Sequence, residues 1–447
     1  MDISLGNLYK LIKDKFTILR WLPDYSSSEF TDDLKAGLTV GLISVPQLMA
    51  YAVLAGLSPI YGLYGSLIPL LIYPLFGTSR HLALGIVATD MIIIASGAGL
   101  IATPGTPEYV SVVLLLTMFT GLIHMSLSLL RMGFLVNLLS KPVIYGFMAA
   151  APLIIGFSQL GNLLGFEAER SQYVWVLATD ALNNIGSVNF WTLGIGLAGI
   201  GLLVLLKWLK PLFPRALLLL SLGGAAVWFF DMERLGVELI GSIPSGLPSF
   251  RMHEFSMDDF RQLLPTAITL VLIQLMSVMS LGKTFANKYK YPLNPNREFF
   301  ALGIANFLGS FFQSPPISGS FSRSAVNEQG GAQSALSNVV CAIIIGLTLL
   351  FLTPLFYFIP IPALAAIIIV ATLSLINIDE LTYFFRTKPV DAYIAIFTFV
   401  CVLLIGIQEG ILLGIGASLV AVLYRSSRPN VAVLGHVHGS RTFRDVS

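Results

Sequence analysis

Long apolar runs, separated by short polar or glycine-rich breaks, fill most of the chain. A membrane-spanning helix needs about 20 mostly apolar residues. Fourteen stretches are candidates: 35–56, 60–77, 84–101, 108–130, 134–160, 189–209, 214–230, 262–286, 298–312, 319–329, 334–353, 355–376, 390–406 and 409–425. The pattern predicts an all-α, polytopic membrane protein. The tenth stretch is too short and too polar for an ordinary span. It lies in FQSPPISGSFSRSAVNEQGG (312–331), where Pro315, Pro316 and Gly319 interrupt any straight helix. The third stretch is broken in the same way around Gly85, within 77–99. Each interruption is third in its half of seven. Interrupted spans at matching places point to an inverted repeat with a binding site near the membrane midplane.

Composition supports lipid as the solvent. Hydrophobic residues make up 55% and charged residues 11%, with a mean hydropathy of +0.82; soluble domains carry about 25% charged residues. The 40 glycines and 23 prolines suit closely packed or deliberately broken membrane helices. The net charge of +2 argues for no acidic partner. Cys341 and Cys401 lie in apolar runs and read as core residues. With the N-terminus cytoplasmic, 21 of the 26 basic residues fall on the inside, among them Lys10, Lys13, Lys15 and Arg20. Arg170, Arg234, Arg251 and Arg261 fall outside, where the longest loop, near 231–259, is acidic. This bias predicts an even number of spans with both termini inside. No cleavable signal peptide is expected in the first 33 residues, which are polar and mixed. The polar tail from Ser427 carries one short expected strand, Asn430 to Leu434, and reads as the opening of something further.

The remaining basic residue, Arg323, falls at membrane depth, where a charge is costly and usually functional. It sits in Ser320-Phe321-Ser322-Arg323-Ser324, after the two prolines, so an extended stretch should lead into a short helix near Ser320 to Ser322. A helix start presents free N–H groups and partial positive charge, and serine hydroxyls with a guanidinium beside it would complete an anion site. The alternative is that Arg323 snorkels or pairs with Asp90. In the first half, Thr89 or Asp90 is expected to cap a half-helix through Met91 to Ala95. Asp90 could also pair with Arg323 or help to bind a coupling cation. Ser44, Gln47 and Tyr51 share one face of the first span, and Thr269, Gln274, Ser277, Ser280 and Thr284 share roughly one face of the eighth. Such stripes serve as interhelical hydrogen-bond glue or as site lining. Nothing points to an enzyme: Gly194, Gly196 and Gly199 match a dinucleotide fingerprint only inside an apolar span, and no catalytic residue, metal-ligand spacing or Walker lysine appears. No cofactor, metal or nucleic-acid partner is expected.

The chain resembles the sulfate permease (SulP) family of anion transporters. The resemblance is carried by Pro59-Ile60-Tyr61-Gly62-Leu63-Tyr64-Gly65-Ser66-Leu67-Ile68-Pro69, by Tyr73 and Gly77-Thr78-Ser79-Arg80-His81, and by Ala286 to Lys288 through Gly309-Ser310 to Ser324. It runs from about Asp32 to Arg428 and implies fourteen spans as two inverted seven-span repeats, with half-helices at spans three and ten. The implied segments are a cytoplasmic start (1–33), a first repeat (34–230), an extracellular loop (231–259), a second repeat (260–426) and the opening of a truncated cytoplasmic STAS domain (427–447). Spans one to four and eight to eleven would form a core domain, and the others a gate. By motif match, Gln47, Tyr51, Val87, Ala88, Thr89, Ser320, Phe321, Ser322 and Arg323 would line the substrate. Bacterial members of the family often carry a glutamate in the eighth span, associated with proton or sodium coupling; Ser277 stands there instead, which leaves Asp90, with Gln274 and Ser277, as coupling candidates, or anion exchange without a coupling cation. The resemblance implies a homodimer in the cell (inner) membrane that moves sulfate, bicarbonate, chloride or a dicarboxylate, with Na+ or H+ as coupling ion. A channel-like anion conductor and a non-transporting sensor or scaffold are the alternatives.

Overall fold

The computed structural model describes residues 16–134, 141–168, 171, 173–209, 213–254, 256–373, 376, 378–427, 434–436 and 443–445. Lys10, Lys13, Lys15, Arg170, Lys210, Arg428, Arg441 and residues 430–433 of the expected strand lie outside them. After one helical turn at Ile18–Trp21, the first half runs α1 Ser27–Leu54, α2 Pro59–Tyr64, α3 Ile68–Phe76, α4 Ala88–Ala98, α5 Pro107–Leu129, α6 Lys141–Ser158, α7 Leu160–Leu164, α8 Val174–Asn183, α9 Phe190–Leu209 and α10 Arg215–Phe230. The second half runs α11 Met257–Tyr289, α12 Pro295–Ser310, α13 Phe321–Gln329, α14 Leu336–Leu347, α15 Ile361–Leu373, α16 Ile378–Thr387, α17 Pro389–Leu404 and α18 Ile407–Ser427. Two short strands, β1 Leu84–Gly85 and β2 Ser318–Gly319, pair with each other; β3 Leu434–His436 and β4 Phe443–Asp445 form a separate hairpin-like pair.

Eight helical stretches are long and apolar enough to cross a membrane, and α4, α10, α15 and α17 are shorter apolar helices. With α12 and the half-helix α13 they make the fourteen spans. The third and tenth spans are each a two-residue strand followed by a half-helix.

The longest helices begin with reciprocal caps. Ser26 Oγ accepts from Glu29 N–H while the Glu29 carboxylate accepts from Ser26 N–H, and Ser256 with Asp259 repeats this at α11. Packing exchanges the two halves. α1 lies along α14, α11 along α5, and α12 along both α5 and α3, which builds the core. α6 packs on α15 and α17, α9 on α10 and α15, and α17 on α18, which builds the gate. The seam between α5 and α12 needs glycine: a Cβ on Gly121 would sit 2.5 Å from the Phe307 backbone nitrogen.

Several boundaries differ from expectation. The second span breaks at Gly65 to Leu67, between α2 and α3. The eleventh runs on through a π-turn (348–352) and a 3-10 turn (Thr353–Phe358), because Pro354 sits at the start of that turn, where its missing N–H costs nothing. The twelfth therefore starts at Ile361 and not near 355. Helices α8 and α16 were not expected. Between the repeats, residues 231–254 lie over one end of both domains. Ile240 N–H donates to Ile359 O and Ile361 N–H to Glu238 O; further on, Gly246 N–H donates to Leu349 O and Arg251 N–H to Phe311 O.

Candidate functional site

Two extended segments meet in the middle of the core. β1 and β2 pair antiparallel, Leu84 opposite Gly319 and Gly85 opposite Ser318, and Ser320 N–H extends the ladder to Ala83 O at 3.0 Å. Irregular backbone at membrane depth must find its hydrogen bonds within the protein. Here buried side chains supply them. Asn338 donates to Leu82 O at 2.9 Å, Asn327 to His81 O at 3.1 Å, and Ser324 Oγ accepts from Ala83 N–H at 2.9 Å. On the other strand, Asn306 Oδ1 accepts from Ile317 N–H at 2.8 Å and its amide donates to Ile317 O at 3.3 Å.

From this ladder the two half-helices start side by side. At α4, Val87 is the extended N-cap residue and makes no side-chain cap. The expected caps are therefore corrected: Thr89 and Asp90 lie inside the first turn, because the ladder keeps the chain extended only as far as Val87. At α13, Ser320 is the N-cap, and its Oγ accepts from Arg323 N–H at 3.4 Å. The first N–H groups of each helix have no intrahelical acceptor, so each start carries partial positive charge.

A cavity of about 500 Å³ opens against these starts. Gln47 and Tyr51 of α1, Val87, Ala88 and Thr89 of α4, and Ser320, Phe321 and Ser322 of α13 all line it, as does Ser277 of α11. Gate residues such as Phe147, Leu203 and Ile367 form the opposite wall. At its basic end the wall includes Lys207 and Arg215. Sequence reasoning used these two only to orient the chain, since a basic residue at a span end reads first as a topology signal.

Arg323 is not among the lining residues. It is 1% exposed and lies behind the ladder, where Nη2 donates to Ile86 O at 2.8 Å; Nε and Nη1 have no hydrogen-bond partner. Gly85 permits this approach. It has φ +141°, and a Cβ there would lie 2.9 Å from Nη2. The alternative pairing of Arg323 with Asp90 does not form. Asp90 is fully buried and accepts from Gln274 Nε2 at 2.8 Å and from Thr89 Oγ at 3.3 Å. Gln274 and Ser277 thus separate from the rest of their stripe: Thr269 and Thr284 turn back to carbonyls of their own helix.

Two further buried carboxylates were missed from the sequence. Glu298 accepts from Tyr73 OH, from Thr78 N–H and Oγ, and from Ser79 N–H. Asp33 accepts from Tyr25 OH and from the backbone of Gln333 and Ser334. The polar Thr78-Ser79 pair beside a span end was the available signal for the first. Among the described residues no group of His, Cys, Asp and Glu is placed to hold a metal, and both cysteines are free and buried.

Comparison with known proteins agrees with this architecture. The sulfate permease family profile matches residues 30–398. "Sulfate transporter 4.1, chloroplastic" of Arabidopsis thaliana is 37% identical over 456 residues, covering 99% of this chain and 66% of that protein. "Probable sulfate transporter 4.2" of the same plant is 37% identical over 440 residues, covering 96% and 64%. The chain thus spans about two thirds of the length of these relatives. The solved structure of SLC26A9 superposes with a TM-score of 0.90 at 25% identity, covering 99% of this chain and 73% of that one. The transmembrane domain of the cyanobacterial bicarbonate transporter BicA superposes with a TM-score of 0.75 at 22% identity, covering 89% and 98%, and shares the fold. A profile match over most of the chain shows that this protein belongs to the sulfate permease family.

Proposed function

We propose that the chain is a secondary transporter of small anions that works by alternating access and holds its anion between the first turns of α4 and α13. One observation carries the reading: a cavity of about 500 Å³ ends on two adjacent helix starts inside an apolar bundle. Each start contributes roughly half a positive charge. The Arg323 guanidinium lies one backbone layer behind, with two N–H-bearing nitrogens unpartnered. Lys207 and Arg215 at the basic end would draw anions in. The core–gate division provides two bodies that can move against each other.

Sulfate is the first substrate to test, since the curated relatives are named for it; bicarbonate, chloride and dicarboxylates follow. The distribution of basic residues supports both chain ends on the cytoplasmic side of the cell (inner) membrane, with the cavity open inward. A homodimer, implied by the family, belongs to the same proposal and is checked by cross-linking in membranes.

The purified protein in liposomes should exchange labelled sulfate against internal sulfate in a saturable way. Absence of exchange for every anion in the set would refute the reading. Large anion currents across a planar bilayer without stoichiometric exchange would assign a channel instead.

A further inference from the structure

We propose that the loop between the repeats is a latch on the core, held shut by His253, and that acid on its side of the membrane opens it and slows anion exchange. The inference rests on the transport reading above and adds its regulation.

The latch is a small seat of rings. Past its bond at Gly246, the loop lays Phe250 flat on Phe311, with centroids 5.8 Å apart and planes 9° from parallel, and edge-on to Phe312 at 5.7 Å. The His253 ring covers Phe311 at 5.2 Å. Hydrogen bonds fix the same place. Arg251 N–H donates to Phe311 O at 2.7 Å, and Gln313 Nε2 donates to Ser249 O at 3.1 Å and to Ser249 Oγ at 2.9 Å.

The seat grips the turn between α12 and β2. Phe312 N–H and Ser314 N–H close that turn on Gly309 O, and Gln313 stands at φ +60°, a left-handed backbone that costs a non-glycine residue energy. Pro315 and Pro316 follow with fixed φ, then Ile317 and β2. A turn that shifts here moves the strand from which α13 starts.

His253 is the part that pH changes. Its ring faces the Ser310 carbonyl, while Nε2 is buried and has no hydrogen-bond partner. The neutral ring fits, with one N–H for one carbonyl. Protonation adds a second N–H, on Nε2, where nothing accepts it. The face of Phe311 attracts a cation only weakly, and a buried N–H without an acceptor costs more. Burial therefore holds the imidazole below its ordinary value of 6.5; the Ser310 carbonyl opposes this and Arg251 adds to it.

Few other charges reach the seat. Arg251 is the charged neighbour that bears on His253, and Glu254 beside it is exposed. From the core, α12 keeps Arg297 and Glu298 in its first turn, at the end opposite Phe311, and α2 brings Tyr61, which faces Arg251. At the start of α11, Asp258 pairs with Arg261 and Asp259 closes the Ser256 cap.

The sign follows. Above about pH 6.5 the ring is neutral whether seated or released, and the latch keeps its full strength. Below that value the released ring takes up a proton more readily than the seated one, so the latch weakens. Between about pH 7.5 and about pH 5.5 the ratio of released to latched protein should rise by up to about tenfold.

The test uses the whole chain in liposomes, at one or the other of these pH values on both faces. Hydrogen exchange is compared with that of His253→Phe, which keeps a ring, and His253→Asn, which keeps a donor. In acid, residues 249–254 and 310–314 of the wild type should exchange up to about tenfold faster than in either variant, and at neutral pH at the same rate. Counterflow of labelled sulfate, whose charge is constant over this range, should fall with acid in the wild type and hold in the variants. His253→Arg should behave at neutral pH as the wild type does in acid. Wild-type protection in acid equal to that of a folded neutral variant overturns the proposal, as does opening that leaves counterflow unchanged, or an acid loss of counterflow that both variants share. Should neither neutral variant fold, the wild type decides: faster exchange confined to 249–254 and 310–314 supports the latch, and an equal rise at residues 237–240 of the same loop overturns it. A wild type without counterflow at either pH sinks the transport reading, a distinct result, since hydrogen exchange still decides whether acid opens the latch.

Discussion

Arg323 shows how far a single residue can be read. A lone cation at membrane depth drew attention to the segment that forms the half-helix α13, but its reach depended on the helix start. With Phe321 first in α13, Arg323 falls in the same turn, and helical side chains tilt toward the N-terminus. The guanidinium therefore folds back to Ile86 O and lies beneath the cavity floor. Arg323→Ala should lower sulfate exchange by about tenfold or more, some 1.4 kcal/mol, in protein that still elutes as a folded species. Arg323→Lys keeps the charge and loses the planar fork, and should fall between. Gly85→Ala tests the same contact from the other side. A non-glycine residue at φ +141° costs about 1–3 kcal/mol, so its melting temperature in detergent should drop; an unchanged value would show that the ladder can shift without loss. Glu298 is the third test at this scale. Its carboxylate holds donors from Tyr73, Thr78 and Ser79, and Glu298→Ala strands them at a cost of about 3 kcal/mol, visible as a lower melting temperature than that of Glu298→Gln.

Among the elements, the long spans were legible because lipid demands about 20 apolar residues in a row. The two interruptions were legible for the complementary reason, as prolines and glycines where such a run should continue. The ladder between them was not, since a two-residue strand has no periodicity to detect. Its supports were equally hidden: Asn306, Asn327 and Asn338 are single polar residues on three different helices, brought together only by packing. That is also why Thr89 and Asp90, good capping residues by type, were taken for caps although the helix starts before them, with Val87 as its N-cap. Asn338→Leu should release Leu82 O from its side-chain donor and abolish sulfate exchange, with hydrogen exchange rising first in residues 82–86; protection as in the wild type would assign Asn338 to packing alone.

For the whole molecule, the gate and core meet away from the basic end of the cavity through Gln408, whose amide donates to Thr266 Oγ at 3.0 Å, beside Gly97. The proposed alternating access would break this contact in every cycle. A Thr266→Cys, Gln408→Cys pair, bridged by mercuric ion, should stop exchange, and dithiothreitol should restore it. Continued exchange in fully bridged protein would mean that the two domains do not part there.

The loop between the repeats adds a constraint of length. It is fastened to the gate end of the chain at Ile240, through Ile359, and to the core at Gly246, through Leu349. Only a few residues run between the two fastenings, and extended backbone covers at most about 3.5 Å per residue. The loop is thus a leash: while both hydrogen bonds hold, the stroke of the core relative to the gate ends when this segment is taut, at roughly 20 Å. Lengthening the leash with glycine and serine should leave the stroke to the helices alone, whereas shortening it should strand the transporter part-way through its cycle.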